Sequence, residues 1–381
     1  MARLLYSLAG EGRGHAARVR TIVDSLKDRH EVAIFAPGVA YQFLSDCFRD
    51  TSVDVQEIPG LMFEYSNQRL NHWKTTTSGL RYLFWLPKLV RELEDMIRLR
   101  DPDLVITDFD PALPRAARRC GVPFLSLDHQ HFLTVSDLSA LPRHLQPQIA
   151  LGRFVVSNYC RGQAATIVSS FYFPPLRKNC CQNVVQIGNL LRSDVVERRP
   201  TNDGHIVAYL RRFAPPNVMQ SLSQIGRPVH VYGLGTRPSE GPLSFHPISD
   251  HAFLDDLSSC DALICNAGNQ LVGEALFLGK PIFAMPEPNN FEQEINAHFL
   301  KESGGGDWVA VADVAEHTFR NFFERREEYV CKTDRRLLHG NPAAIAEIER
   351  HLPARPEIPP RVLDLQPPSA ATPSHAVPRS G

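Results

Sequence analysis

Short apolar runs alternate with stretches of helical spacing along most of the chain. Residues 3–9 (RLLYSLA) are a compact apolar run, and 10–15 (GEGRGH) is a glycine-rich turn. Residues 16–28 then place Ala17, Val19, Ile22, Val23 and Leu26 at helical spacing, and 31–37 is apolar again. This β-loop-α-β order predicts a parallel sheet, whose strands are covered on both faces and so read as near-continuous apolar runs. A second such unit follows: an amphipathic helix at 89–99, a buried strand at 103–108, a helix at 114–120 and a strand at 122–128. Further strands are expected at 165–168 and 184–189.

A new α/β series opens with strands at 205–210 and 229–233 and a short helix at 252–258. Its densest part is 264–276 (ICNAGNQLVGEAL), then Gly279-Lys280-Pro281, then 292–297 (EQEINA). That reads as strand, small-residue turn, helix, strand, helix. The charged stretch 310–338 reads as helix. From 353 the chain is rich in Pro, Ser, Ala and Arg, a composition that favours disorder. The organisation expected is therefore two Rossmann-like domains, 1–188 and 201–338, a connection at 189–200, and a disordered tail at 353–381.

Composition narrows the class. Lysine and arginine (41) nearly balance aspartate and glutamate (42), with no long basic run, so a nucleic-acid binder is not expected. The eight cysteines form no C-x-x-C pair, which argues against a structural zinc site and for reduced thiols in a cytoplasmic protein. The N-terminal apolar run is too short for a signal peptide. No run reaches the roughly 18 apolar residues of a membrane helix.

The candidate chemistry sits at strand ends. A strand that passes through Ala267-Gly268 into a helix offers free N–H groups and a positive dipole end, a site for phosphate. Glu274 lies about a turn further in, and Glu292 and Gln293 follow the next strand. One anion site with several sugar-type hydrogen bonders suits a nucleotide-sugar. In the first half, His15 closes the glycine turn and is a candidate base, since imidazole titrates near neutrality. Asp108 ends a strand and is a candidate partner for it.

At these residues the chain resembles glycosyltransferases of the GT-B type, in particular UDP-glycosyltransferases and the lipid-linked N-acetylglucosaminyltransferase of peptidoglycan synthesis. The resemblance covers about residues 1–335. The family's donor motif has the form H-x-G-x-N-[ST]-x-x-E followed by [DE]-Q-x-x-N. Asn266, Gly268, Gln270 and Glu274 stand at the spacing of the first, and Glu292, Gln293 and Asn296 at that of the second. The resemblance implies a GT-B fold, with two Rossmann-like parallel-sheet domains facing across a cleft. It also implies a nucleotide-diphosphate-sugar donor held by the second domain, with Glu274 on the ribose, Glu292 and Gln293 on the sugar, and the turn at 268–271, including Asn269, on the diphosphate. Asn266 replaces the family's phosphate-binding His; Arg211 and Arg212 would supply the missing charge. His15 would be the base and Asp108 its orienting partner. No cofactor and no metal are expected, because this fold type uses backbone dipoles on the diphosphate.

Gly12, Gly14, Asp110, His129 and His131 are candidates for the acceptor side. The acceptor expected is a hydroxyl, on a saccharide or a lipid-linked molecule. Residues 80–99 mix aromatic and basic positions around Pro87, which is expected to break the helix. They are the candidate for peripheral contact with the inner face of a membrane. The same residues leave other readings open. Asp108-Phe109-Asp110 is a D-x-D triplet that in another fold holds a divalent metal. Gly10-x-Gly12-x-Gly14 departs from the dinucleotide fingerprint by one residue. A UDP-sugar 2-epimerase, or a non-catalytic nucleotide- or sugar-binding protein, would share the fold.

Overall fold

The computed structural model describes residues 1–10, 13–60, 65–66, 69–70, 72–180, 183–211 and 214–353. The predicted tail beyond residue 353, together with Gly12 and Arg212, therefore lies outside the described residues.

Two parallel sheets organise the chain. The first has seven strands: β1 (Arg3–Leu8), β2 (Glu31–Ala36), β3 (Asp54–Glu57), β4 (Leu104–Asp108), β5 (Phe124–Asp128), β6 (Ala165–Ser169) and β7 (Val184–Ile187). Their order is β3-β2-β1-β4-β5-β6-β7. The second has six: β8 (Ile206–Tyr209), β9 (Val229–Tyr232), β10 (Leu243–His246), β11 (Ala262–Cys265), β12 (Ile282–Ala284) and β13 (Gly306–Trp308), in the order β10-β9-β8-β11-β12-β13. Both orders reverse once, between β1 and β4 and between β8 and β11. At such a reversal the flanking loops diverge to opposite faces and leave a crevice outside the carboxyl ends of the strands. Each half thus has one built-in place for a ligand. Register brings Leu8 beside Asp108 in the first sheet and Tyr209 beside Cys265 in the second.

The helices that matter for the site are α1 (Arg13–Leu26), α2 (His72–Arg100), α3 (Leu113–Cys120), α4 (Gln146–Tyr159), α5 (Asp250–Ser259), α6 (Asn269–Phe277), α7 (Phe291–Glu302) and α8 (Asn341–Arg350). The apolar face predicted for α1 is the one that sinks: Val19, Ile22, Val23 and Leu26 are all fully buried. Pro87 does not end α2 as expected. It removes only one N–H from a helix whose other face is held by buried Leu86, Leu89, Val90 and Leu93.

The run 310–338 is not one helix. It breaks into 3-10 turns at Val311–Asp313 and Arg326–Glu328 and short helices at Thr318–Glu324 and Arg335–Leu338. Tertiary anchors account for the breaks. Phe319 and Phe322 pack on Phe283 with ring centroids 5.4 and 5.2 Å away, Arg326 pairs with Asp261, and Arg335 Nε donates to the Phe277 carbonyl at 3.0 Å. The chain then returns to the first half. Ala344 and Ile348 of α8 are fully buried in the same cluster as Val23 and Leu26, and His30 Nε2 meets Glu349 at 3.0 Å.

The halves share one apolar cluster, which runs from Phe132, Leu145 and Tyr172 to Val272, Ile295 and Phe299. Tyr172 stacks on Phe299 with centroids 4.1 Å apart.

Candidate active site

The first strand reversal carries His15, Asp108 and Arg18. Asp108 ends β4 and is fully buried. Its carboxylate accepts from Arg18 Nε at 3.0 Å and Arg18 Nη2 at 2.8 Å, and His15 Nδ1 lies 2.9 Å from Oδ1. Burial alone would push this carboxyl up, but the charges of Arg18 and His15 outweigh it and hold it below the ordinary carboxylate range. Arg18 Nη2 also lies 2.8 Å from His15 Nδ1. A guanidinium only donates, so a proton on Nδ1 favours Asp108 while a lone pair there favours Arg18. Only the first arrangement leaves Nε2 free to take a proton. The expected His15–Asp108 pair is thus in place, with a buried arginine that the sequence reading missed. Its signal was the i, i+3 spacing from His15 on one helix face.

The D-x-D triplet is divided between two tasks. Phe109 has φ of 59°, and beyond it Asp110 turns to α3, where Oδ2 accepts from Leu113 N at 2.9 Å. Both carboxylates are buried and hydrogen-bonded within the fold, so the metal reading has no support in the geometry, and Asp110 ties its loop to the first turn of α3. Gly14 has open space where a Cβ would stand.

His131 is buried, with Nδ1 2.7 Å from Asp128 Oδ2, which also accepts from Ser126 Oγ at 2.6 Å. His129 is 1% exposed and stacks on Phe132, with Nδ1 3.1 Å from the Ser169 carbonyl. Burial pushes this imidazole below its ordinary range, with Glu292 of the second half opposing the shift and Arg18 of the first adding to it. His129 therefore stands between the two strand reversals.

At the second reversal β11 runs into Asn266-Ala267-Gly268 and then α6. Among the described residues no side chain caps α6, which leaves its first-turn N–H groups for other acceptors. Ala267 adopts φ of 58°, a conformation disfavoured for any residue with a Cβ. It is held there by Asn296, whose Nδ2 donates to the Ala267 carbonyl at 3.0 Å while its Oδ1 accepts from Tyr172 Oη at 3.0 Å.

Several predicted donor residues make hydrogen bonds within the fold. Asn266 Oδ1 accepts from Arg211 N, and its Nδ2 donates to the Met285 carbonyl, both at 3.0 Å, so it ties together the ends of β8, β11 and β12. Asn269 bonds Ser169 and Ser170 across the junction, each at 3.3 Å. Gln293 Oε1 accepts from Glu287 N at 2.8 Å. Glu274 is 3% exposed; Arg192 reaches it with Nε at 3.2 Å and Nη2 at 2.8 Å, and Gln270 Nε2 at 3.1 Å. Three of about four lone-pair positions on that carboxylate are filled. Arg192 and Gly273 were also missed. A Cβ on Gly273 would stand 2.1 Å from Asn189 Oδ1, so only glycine lets the connection pass. At the same strand ends Arg211 lies 4.0 Å from the Glu287 carboxylate, and Glu292 is half-exposed at the start of α7.

A fold of two doubly wound halves, each with a polar site at its strand reversal, defines the GT-B class of glycosyltransferases. The chain belongs to the family described as Glycosyl transferase family 1, whose sequence model matches residues 2–326. A glycosyltransferase of Methanosarcina acetivorans is 25% identical, over 91% of this chain and 95% of its own length. Among solved structures, the glycotransferase of kitacinnamycin superposes with a TM-score of 0.64 at 14% identity, covering 92% of this chain and 99% of its own. MurG of Acinetobacter baumannii gives 0.57 at 14%, covering 92% and 100%. LpCGTa, solved with UDP, gives 0.59 at 16%, covering 92% and 94%. The protein is accordingly a sugar-transferring enzyme.

Proposed function

We propose that the enzyme moves a sugar from a nucleotide-diphosphate sugar, with UDP the first nucleotide to try, to an acceptor hydroxyl with inversion at the anomeric carbon. The single observation that carries this reading is the pairing of a His15–Asp108 dyad at one strand reversal with the uncapped start of α6 at the other. His15 Nε2 takes the acceptor proton as oxygen attacks. The first-turn amides of α6, with Arg211, stabilise the diphosphate, where negative charge develops as the bond to the sugar breaks. Glu292 and His129 bracket the sugar between the halves. Glu274 binds the ribose only through its remaining lone pair, and its main work is to hold Arg192 of the connection. The UDP held by LpCGTa supports the choice of nucleotide.

The acceptor lies on the first half. Leu83, Phe84 and Trp85 of α2 are 57%, 82% and 47% exposed, with Lys88 over the Trp85 ring, which supports peripheral contact with an anionic membrane or a lipid-linked acceptor. Among the described residues no helix is long and apolar enough to cross a membrane. Co-sedimentation with anionic liposomes tests this part, and absence of binding removes it.

Calorimetric titration with UDP, dTDP, GDP and ADP, with and without Mg²⁺, tests the donor site. One nucleotide should bind equally in both conditions. His15→Ala should keep that affinity and lose about 10²–10⁴ in transfer rate. Failure of every nucleotide to bind, or near wild-type turnover by His15→Ala, overturns the reading.

A further inference from the structure

A second cluster of chemistry-bearing side chains lies on the second half, away from the proposed transfer site. Register aligns Val207, His230 and Ser244 across β8, β9 and β10, and Tyr209, Tyr232 and His246 in the next row of that face. His205, just ahead of β8, stacks on His230 with ring centroids 4.4 Å apart. Helix α5 covers the face and brings Asp256 onto it. His230 Nδ1 lies 2.7 Å from Asp256 Oδ2, Tyr232 Oη donates to the same oxygen at 2.5 Å, and His205 Nε2 lies 3.1 Å from the Asp256 carbonyl. One nitrogen of each of these two imidazoles and one carboxylate oxygen all stand within 4.8 Å of one another.

We propose that His205, His230 and Asp256 form a binding site for a divalent transition-metal ion, of which Zn²⁺ is the best match. A tetrahedral ion with ligands at about 2.0–2.2 Å holds its donor atoms roughly 3.4 Å apart, so small side-chain rotations close the present cluster around one ion. Two imidazoles with one carboxylate select zinc, cobalt, nickel or copper over magnesium and calcium, which prefer all-oxygen shells. Binding replaces the proton shared by His230 Nδ1 and Asp256 with the ion. Tyr232 then orients the carboxylate, as outer partners of metal ligands commonly do. The side chains of His230 and Asp256 are 26% and 22% exposed, so an ion has a way in, and water completes the fourth position. His246 adds a third imidazole beside the cluster, its ring 5.1 Å from that of His230.

The site has no part in the transfer step. His205 precedes β8 and Arg211 follows it, which separates the two by roughly 20 Å of extended chain at about 3.3 Å per residue. Its role is to clamp α5 onto the three edge strands, and it does not depend on the donor reading.

The test is calorimetric titration of ZnCl₂ into the untagged, chelator-stripped full chain, with Co²⁺ absorption as a second readout. One ion per chain should bind, and the visible Co²⁺ spectrum should be that of a four-coordinate ion. His230→Ala and Asp256→Asn should each weaken binding at least about tenfold, the loss that even an outer partner costs. His317→Ala, an exposed imidazole elsewhere, should leave binding unchanged. If His230→Ala does not fold without metal, His205→Gln replaces it in the comparison. Absence of stoichiometric binding, or equal affinity in wild type and both ligand variants, overturns the proposal.

Discussion

Asp108→Asn should destabilise the first half of the protein as well as lower its activity. The variant keeps the shape of the side chain and removes its charge. Arg18 is 4% exposed, and Asp108 accepts two of its hydrogen bonds while lying fully buried itself. Removing one member of a buried pair leaves the other as an uncompensated charge in a medium that solvates it poorly, which costs about 3–5 kcal/mol. For a unit of this size 1 kcal/mol corresponds to about 2–4 °C, so the first thermal transition should fall by about 6–20 °C. Arg18→Met tests the cause. It removes the stranded charge, so the double variant should be less destabilised than the sum of the single ones, with a coupling of about 1–3 kcal/mol. Differential scanning calorimetry of the four proteins gives both numbers. A shift below about 2 °C for Asp108→Asn, or a coupling within about 0.5 kcal/mol of zero, would refute the argument that this arginine and carboxylate hold each other in place. Donor hydrolysis separates the second role. Arg18→Met retains the His15–Asp108 contact and should keep far more activity than Asp108→Asn.

Three further outcomes follow from the same geometry. Asp128 is buried, which by itself raises its pKa, yet His131 and Ser126 bring it down from 3.8 to about 2. A lowered carboxylate contributes stability above its unfolded pKa, here about 2.5 kcal/mol from a shift of roughly two units, and loses it as pH falls from about 4 to about 2; Asp128→Asn should flatten that part of the acid unfolding curve, and an unchanged curve would contradict it. Gly273→Ala would place a Cβ 2.1 Å from Asn189 Oδ1 and push Asn189 off the Asn269 carbonyl, so the denaturant midpoint should drop by the equivalent of about 1–3 kcal/mol, with a wild-type midpoint as the negative result. Asn296→Ala leaves Ala267 in its left-handed conformation without support, and at about 1–2 kcal/mol it should weaken nucleotide binding about 5–30-fold, whereas unchanged affinity would mean that the turn holds itself.

Much of this architecture follows from local pattern. The unbroken apolar runs at 3–9, 103–108 and 122–128 are strands because a parallel sheet buries both faces, and the alternation with helical spacing implies the winding order. The same pattern places His15 after β1 and the Ala267-Gly268 turn after β11, and the spacing of Glu274, Glu292 and Gln293 pointed to the family that the comparison bears out. The helix expected over 310–338 failed because charge and spacing there look helical while the anchors that break it, Phe283 and Asp261, lie elsewhere in the chain.

Pattern alone did not choose partners. His15 meets Asp108 across 93 residues, Arg192 meets Glu274 across 82, and Tyr172 meets Asn296 across 124. A buried polar group must be paired, but nothing in its own neighbourhood says with what. Asn266, Asn269, Gln293 and Asn296 read as ligand contacts because amides suit sugars and phosphates equally well. In the folded chain Asn266 and Asn296 bond at the turn, Asn269 bonds Ser169 and Ser170 of the other half, and Gln293 accepts from Glu287 N. The sequence by itself determined the two α/β halves and the strand ends where chemistry would sit, since hydrophobic burial has a period that can be read along the chain. Only the tertiary structure decided which partner each buried polar side chain takes, since that depends on atoms brought together from far apart and on the cost of leaving any of them unpaired.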